Sequence, residues 1–226
     1  MLAIIKKELK SYLLTPIGYI FIGLFLLMFS LLFYISIYYY RSVYFEYAFY
    51  NAATIMTFLI PVLTMRMFSE ERKTGTEQLL LTSPRSLISV VLGKFVAAII
   101  IVFIAIFGTL IHFMILRHFG KPDINVAMVT LLGFFLLNCA YVSIGMFISS
   151  LTENQIVAAV ITIGIFIAMW FLPDVSQAFV NLSLMNMFDN FPRGVIALDE
   201  VVAFVSFTIL FILLTTIVLQ RRKSIK

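Results

Sequence analysis

The stretch Leu87–Leu116, LISVVLGKFVAAIIIVFIAIFGTLIHFMIL, decides the fold class of this chain. Its 30 residues include one charged side chain, Lys94, and no proline. An α-helix needs about 20 mostly apolar residues to cross the hydrocarbon core of a bilayer. The strands of a membrane barrel would instead alternate apolar and polar side chains over about ten residues. This run is long and continuous, so it predicts a membrane-spanning helix.

Five further apolar runs have the same character, and they predict five more spans. These runs are about Ile17–Tyr39, Ala52–Phe68, Val126–Ser149, Gln155–Leu172 and Val201–Leu219. Of the 226 residues, 62% are hydrophobic and 12% are charged, whereas a soluble domain carries about 25% charged residues. We therefore predict an all-α polytopic membrane protein, with six transmembrane helices in a single transmembrane domain over residues 1–226.

The basic residues set the predicted orientation. With six spans both termini lie on one side, and that side holds 12 of the 16 Lys and Arg residues. The other side holds Arg41, Arg117, Lys121 and Arg193. Because cytoplasmic segments carry the excess of basic residues, both termini are expected in the cytoplasm, in the inner (plasma) membrane of a bacterium. The net charge of +5 therefore indicates orientation in the lipid bilayer rather than binding to a nucleic-acid partner.

The first 15 residues predict a helix that lies on the membrane surface. Met1–Lys10, MLAIIKKELK, is too highly charged for the apolar region of a signal peptide. Apolar residues recur at helical spacing at Leu2, Ile5, Leu9 and Leu13, and the opposite side carries Lys6, Lys7 and Lys10. This pattern favours an amphipathic helix on the inner leaflet, with its lysines toward lipid phosphates. The alternative is that this end serves only to orient the first span.

The outer segment 173–200 is more apolar than a solvated loop. We expect a short interfacial or re-entrant helix within it, which is viable where helix or neighbouring protein satisfies its backbone.

The densest charge cluster is the junction segment, residues 66–85, between the second and third spans. Glu70 follows Arg66 by four residues, so the two side chains are predicted to pair on one helix face. Gly75 is predicted to end that helix in the left-handed conformation. Thr74 or Thr76 would then cap a short second helix with Glu77 in its first turn. Pro84 would end the second helix.

The predicted second helix carries Leu79, Leu80 and Leu81 on the cytoplasmic side. Apolar side chains in that position favour burial in a groove of another protein or at the bilayer surface. The alternative is a solvated loop that only satisfies the topology.

The junction segment resembles the corresponding loop of ABC-2 type transporter permeases, in the small six-span branch that includes gliding-motility and copper-site-maturation permeases. The matching stretches are Lys7-Glu8-Leu9 with Thr15-Pro16-Ile17-Gly18-Tyr19, Pro61–Arg66 with Glu70–Pro84, and Gly93-Lys94-Phe95. The six-span layout also fits this branch.

The resemblance implies that the chain is the transmembrane subunit of an exporter. It also implies pairing with two copies of a separate ATP-binding subunit and with a second permease copy or a related permease. It implies that the short helix is a coupling helix docked on the ATPase. The residues implied in coupling are Glu70, Glu71, Thr74, Gly75, Thr76, Glu77, Gln78, Leu79, Leu80, Leu81, Thr82 and Pro84.

A phosphate-binding loop reads Gly-x-x-x-x-Gly-Lys-Ser/Thr. Around Gly93-Lys94 the first glycine position holds Ile88 and the Ser/Thr position holds Phe95, so the motif is not met. ATP and Mg²⁺ are therefore expected in the partner, with no cofactor, metal or catalytic residue in this chain.

Several other polar residues suit either a functional role or helix packing. Asn138, Tyr141 and Ser143 form a candidate substrate path in the fourth span, although polar side chains there also bridge helices. His112 has no carboxylate at helical spacing that would complete a metal site. Glu70 and Glu71 are expected on a solvated, salt-bridging face rather than as a catalytic pair.

Two other classes of function compete with the permease subunit. A stand-alone secondary transporter or channel would have internal repeats and charges at mid-membrane depth, and the sequence contains no repeat. A membrane enzyme would need a nucleophile with a base, a carboxylate pair or a metal cluster.

Overall fold

The computed structural model describes residues 1–40, 45–78, 86–119, 121–175 and 182–225. Ten α-helices in these ranges are numbered here in chain order. They are α1 (Leu2–Leu14), α2 (Pro16–Tyr40), α3 (Phe45–Thr64), α4 (Ser69–Lys73), α5 (Leu87–Gly108), α6 (Leu110–Phe119), α7 (Ile124–Leu151), α8 (Gln155–Val175), α9 (Leu184–Phe188) and α10 (Leu198–Ile225). A 3₁₀ helix covers Phe191–Arg193.

Six helical segments are long and apolar enough to cross a membrane. The predicted all-α architecture with six spans is thereby confirmed. The second span continues from α3 through a turn at residues 65–68 into α4. The third span is interrupted at Thr109, which donates both its backbone N–H and its hydroxyl to the carbonyl oxygen of Ile106. These hydrogen bonds reach back three residues instead of the four of an α-helix, so they tighten the turn and separate α5 from α6.

Helix α7 is the centre of the bundle, and it packs against α3, α5, α8 and α10. Of the six spans, α7 has the largest share of buried residues, whereas α8 and α10 have the smallest. At Gly145 the α7 backbone approaches the Thr64 side chain so closely that a Cβ atom would clash with it. A small residue at this position therefore allows the two helices to meet, as is common between membrane helices.

Helix α1 packs against α5 and α2 rather than standing apart from the bundle. A Cβ atom at Gly93 would lie 2.8 Å from the Ile4 side chain, so a glycine is needed where the two helices meet. Tyr12 is buried and donates its hydroxyl to the Leu63 carbonyl oxygen at 3.4 Å. Burial, with Glu8 nearby, raises the pKa of Tyr12, so the phenol keeps the proton of this bond.

The packed face of α1 differs from the predicted apolar stripe. Ile5 and Leu9 are partly buried as expected, but Leu2 is 83% exposed and Leu13 is 38% exposed. Tyr12 is the buried residue of this helix. The difference arises because α1 packs against α2 and α5, and spacing along a helix does not distinguish burial against protein from contact with a membrane surface.

The described part of the outer segment folds back onto the bundle. Ser183 caps the N-terminus of helix α9, and its side chain accepts a hydrogen bond from the Asn186 backbone N–H. Phe188 and Phe191 are fully buried, and the Phe191 ring covers Gly133 of α7. The apolar side chains of Leu184, Met185, Met187, Phe188 and Phe191 are thus buried against protein.

Candidate functional site

The junction segment begins with a helix that is fixed by its own charges. Arg66 donates from Nε and from one terminal guanidinium nitrogen to the two carboxylate oxygens of Glu70, both at 2.6 Å. The predicted pair is confirmed, and its two-bond geometry is the strong form of an Arg–carboxylate contact. Gly75 has a φ of +73°, which confirms the predicted left-handed residue after α4. The chain therefore turns sharply there.

The two threonines of the turn hold it against α4. The Thr74 hydroxyl donates to the Glu70 carbonyl oxygen at 2.9 Å. The Thr76 hydroxyl donates to the Glu71 carbonyl oxygen at 3.3 Å. Residues 77–78 then return to helical backbone. The remaining predicted coupling residues, Leu79, Leu80, Leu81, Thr82 and Pro84, lie outside the described residues.

An ion cluster joins the junction segment to α1 and α5. The Lys94 ammonium lies 3.2 Å from Glu8 Oε1 and 3.0 Å from Glu71 Oε1, and only 3% of its side chain is exposed. The Lys94 ammonium also lies 5.3 Å from the centre of the Phe68 ring. Glu71 is 15% exposed, so the expected solvated face is wrong for this residue although its salt bridge was predicted. Burial follows because Glu71 faces the interior side of α4, toward α1 and α5.

A second connection joins the junction segment to the end of α7. The Ser149 hydroxyl donates to the Met65 carbonyl oxygen at 2.9 Å and accepts from the backbone N–H groups of Phe68 and Ser69. It therefore satisfies backbone groups that the turn after α3 leaves without helical partners. Arg72 extends the connection by contacting Glu153 at 2.9 Å, in the turn after α7.

A third connection reaches the last helix. Arg222 lies 3.0 Å from Glu77, and both side chains are largely buried, at 21% and 12% exposed. Glu77 is thus paired with α10.

Several of these residues were not identified from the sequence as parts of the site. They are Ser149 and Arg222, together with Glu8 and Lys94 beyond their places in the matching stretches. Lys94 offered a signal, since it is the one charge in a 30-residue apolar run. The other residues look like ordinary surface or helix-end positions, and only their neighbours in space distinguish them.

The predicted membrane-surface lysines Lys6, Lys7 and Lys10 are exposed on α1. Lys7 lies 3.9 Å from both Glu8 and Glu71, at the margin of the ion cluster.

The candidate substrate-path residues lie inside the bundle. Asn138 and Ser143 are fully buried, and Tyr141 is 1% exposed. The Tyr141 ring packs on Phe166 with 4.3 Å between ring centres. Ser143 donates to the Ala140 carbonyl oxygen at 2.8 Å. In this structure Asn138 and Ser143 donate hydrogen bonds within α7, and Tyr141 packs against α8.

His112 also makes packing contacts. Its Nε2 lies 2.8 Å from the Ser30 hydroxyl, and its ring lies between the edges of Phe29 and Phe33. The Ser30 hydroxyl donates to the Leu26 carbonyl oxygen, so Nε2 is the donor in the contact with histidine. Within the described ranges, no group of three or more His, Cys, Asp or Glu residues is placed to hold a metal ion.

Comparison with known proteins assigns the family. The model of the ABC-2 family transporter proteins matches residues 2–224, which is nearly the entire chain. No curated protein matches the sequence. The long family match agrees with the six apolar helices and with the resemblance in the junction segment. This multi-pass membrane protein belongs to the ABC-2 family of transporter proteins and is a permease subunit of an ABC transporter.

Proposed function

We propose that this permease is part of an exporter and that the junction segment transmits ATP-driven movement from a separate ATP-binding subunit to the spans. The functional unit would contain two permease chains and two ATP-binding subunits, with ATP and Mg²⁺ bound by the latter. Both termini and the junction segment would face the cytoplasm, in accord with the 12 of 16 basic residues on that side.

The observation that carries this proposal is the set of ion pairs around the junction segment. Glu71 contacts Lys94 of α5, which also contacts Glu8 of α1. Arg72 contacts Glu153 between α7 and α8, and Glu77 contacts Arg222 of α10. A force applied to this one segment would therefore reach most of the bundle through charged contacts.

The stiffness of the junction segment suits the transmission of movement. Arg66 and Glu70 stiffen its first helix, and the left-handed conformation of Gly75 fixes the direction in which the chain leaves α4. When two ATP-binding subunits close on ATP, they would bring the two junction segments together. The spans would then move as rigid bodies between two packings, which is a common form of switching.

The test is co-purification with the ATP-binding subunit, followed by ATP hydrolysis in proteoliposomes. We expect Leu80→Asp to abolish both complex formation and the stimulation of ATP hydrolysis, because a carboxylate would replace an apolar contact. Leu80→Met is the matched control, since it keeps the apolar character and nearly the volume, and it should retain both.

Two results would contradict the proposal. One is an intact complex with normal stimulated hydrolysis for Leu80→Asp. The other is transport driven by an ion gradient in liposomes that contain this chain alone, which would identify a secondary transporter or channel.

A further inference from the structure

A cleft of about 650 Å³ opens between α1 and the end of α3. Its lining includes Ile17 at the start of α2, Met67 just after α3 and Val90 near the start of α5. Two spans therefore begin at the cleft, and a third passes it at the turn between α3 and α4, near its end. The ends of spans lie in the polar headgroup region that flanks the hydrocarbon core, so the cleft lies at the depth of lipid headgroups.

The cleft is lined by charges of both signs in equal number. The charged lining residues are Lys7, Glu8, Arg66, Glu70, Glu71 and Lys94. Of these, Lys94, Glu8 and Glu71 are mostly buried in the ion cluster described above. The side chains with the greatest exposure are Lys7, at 72%, and Glu70, at 38%. The most accessible charged groups for a ligand in the cleft are thus the Lys7 ammonium and the Glu70 carboxylate, followed by the Arg66 guanidinium at 28% exposed.

Both groups keep hydrogen-bonding capacity for a ligand. Each oxygen of Glu70 accepts one bond from Arg66, and a carboxylate has about four acceptor positions in all. The Lys7 ammonium has three donors, and its carboxylate neighbours lie at 3.9 Å, too far for short hydrogen bonds. A zwitterion with an ammonium and a phosphate group matches this pair of partners.

An apolar track leads away from the cleft along α2. Ile20, Leu24, Leu27 and Leu31 follow Ile17 at helical spacing, and each of the four is between 41% and 53% exposed. They form one face of a helix that crosses the membrane. An acyl chain attached to a headgroup in the cleft would lie on this face.

We propose that the cleft binds the headgroup of a zwitterionic aminophospholipid, with phosphatidylethanolamine as its chemical type. The ammonium group donates to the Glu70 carboxylate, the phosphate accepts from Lys7, and the acyl chains lie along α2. This inference requires the spans to lie in the membrane but does not depend on the proposed docking of an ATPase.

The test is native mass spectrometry of the purified chain, titrated with phosphatidylethanolamine, phosphatidylcholine and phosphatidylglycerol of identical acyl chains. We expect phosphatidylethanolamine to bind about tenfold more tightly than the other two, which corresponds to about 1.4 kcal/mol. Choline offers no N–H donor to Glu70, and glycerol offers no cation. Glu70→Gln should remove the preference, whereas Lys7→Gln should weaken all three lipids to a similar extent.

Two further variants make the result decisive. Glu153→Gln removes a carboxylate from the Arg72 ion pair, outside the cleft lining, and should keep the full preference. Ser11→Trp fills the cleft from an exposed position of α1 without changing charge and should abolish specific binding. The melting temperature in lipid-free detergent identifies any variant that is misfolded.

Equal binding of the three lipids by the unaltered chain would overturn the proposal. So would an unchanged lipid preference in folded Glu70→Gln. If Glu70→Gln instead weakens only co-purification with the ATP-binding subunit, the cleft is a protein-docking site and the lipid assignment is wrong.

Discussion

At the scale of single residues, the Lys94 ammonium is shared by two carboxylates, Glu8 and Glu71, and is almost completely withdrawn from solvent. Removing a charge from water has a large cost in free energy, and a buried pair offsets it only when partners and geometry are good. The Lys94 ammonium has two carboxylates within 3.2 Å and the centre of the Phe68 ring at 5.3 Å. We infer that this residue positions α1 against the junction segment.

We expect Lys94→Met to destabilise the chain by about 3 kcal/mol, because the mostly buried Glu8 and Glu71 would keep only the exposed Lys7 ammonium, at 3.9 Å. The measurement is the free energy of unfolding in mixed micelles. The triple variant Glu8→Gln, Glu71→Gln, Lys94→Met should recover most of the loss, since it leaves no uncompensated charge. A cost below about 1 kcal/mol for Lys94→Met would show that the cluster has little structural weight.

At the scale of elements, the junction segment and the end of α10 stabilise each other's position. The last span was predicted to end near Leu219, but α10 continues to Ile225. Its final turns carry Arg222 to Glu77 of the junction segment. The basic end of the chain therefore has a specific intramolecular contact in addition to its expected role in membrane orientation.

The Glu77–Arg222 pair is tested by exchanging its charges. Glu77→Arg and Arg222→Glu should each lower stimulated ATP hydrolysis several-fold, because each places like charges 3.0 Å apart. The double variant restores opposite charges and should recover at least half of the activity. The neighbouring change Arg221→Glu, on an exposed residue, is the control and should have little effect. Additive losses in the double variant would mean that the pair makes no functional contact.

At the scale of the whole molecule, α7 forms the centre while α2, α8 and α10 present apolar faces outward. A smaller share of residues is thus buried in α2, α8 and α10 than in the central helix α7. The outward faces are available to lipid or to a second permease copy, which accords with the proposed two-chain transporter.

The proposed topology is tested with single cysteines in a Cys139→Ser background, because the chain has one natural cysteine. Lys10→Cys and Ser224→Cys lie at exposed positions near the two ends, and Lys121→Cys lies in the turn before α7. A membrane-impermeant maleimide added to intact cells should label only Lys121→Cys. Labelling of Lys10→Cys from outside would reverse the orientation.

The number of spans and their helical conformation followed from the sequence, because a membrane span needs only a continuous apolar run of sufficient length. The Arg66–Glu70 pair and the left-handed Gly75 also followed, since both depend on residues within one or two helical turns. The burial of Asn138, Tyr141 and Ser143 did not follow, because polar residues in a span suit a path and a packed interface equally well.

The ion pairs around the junction segment depended on the tertiary structure. Glu71 and Lys94 are 23 residues apart, Glu8 and Lys94 are 86 apart, and Glu77 and Arg222 are 145 apart. Local composition carries no information about which of the many charged residues meet. Apolar length and local spacing thus determined that the chain is a six-span membrane protein with a sharply turned charged segment. Helix packing alone decided which charges surround that segment, because their pairing requires distant parts of the chain to be brought together.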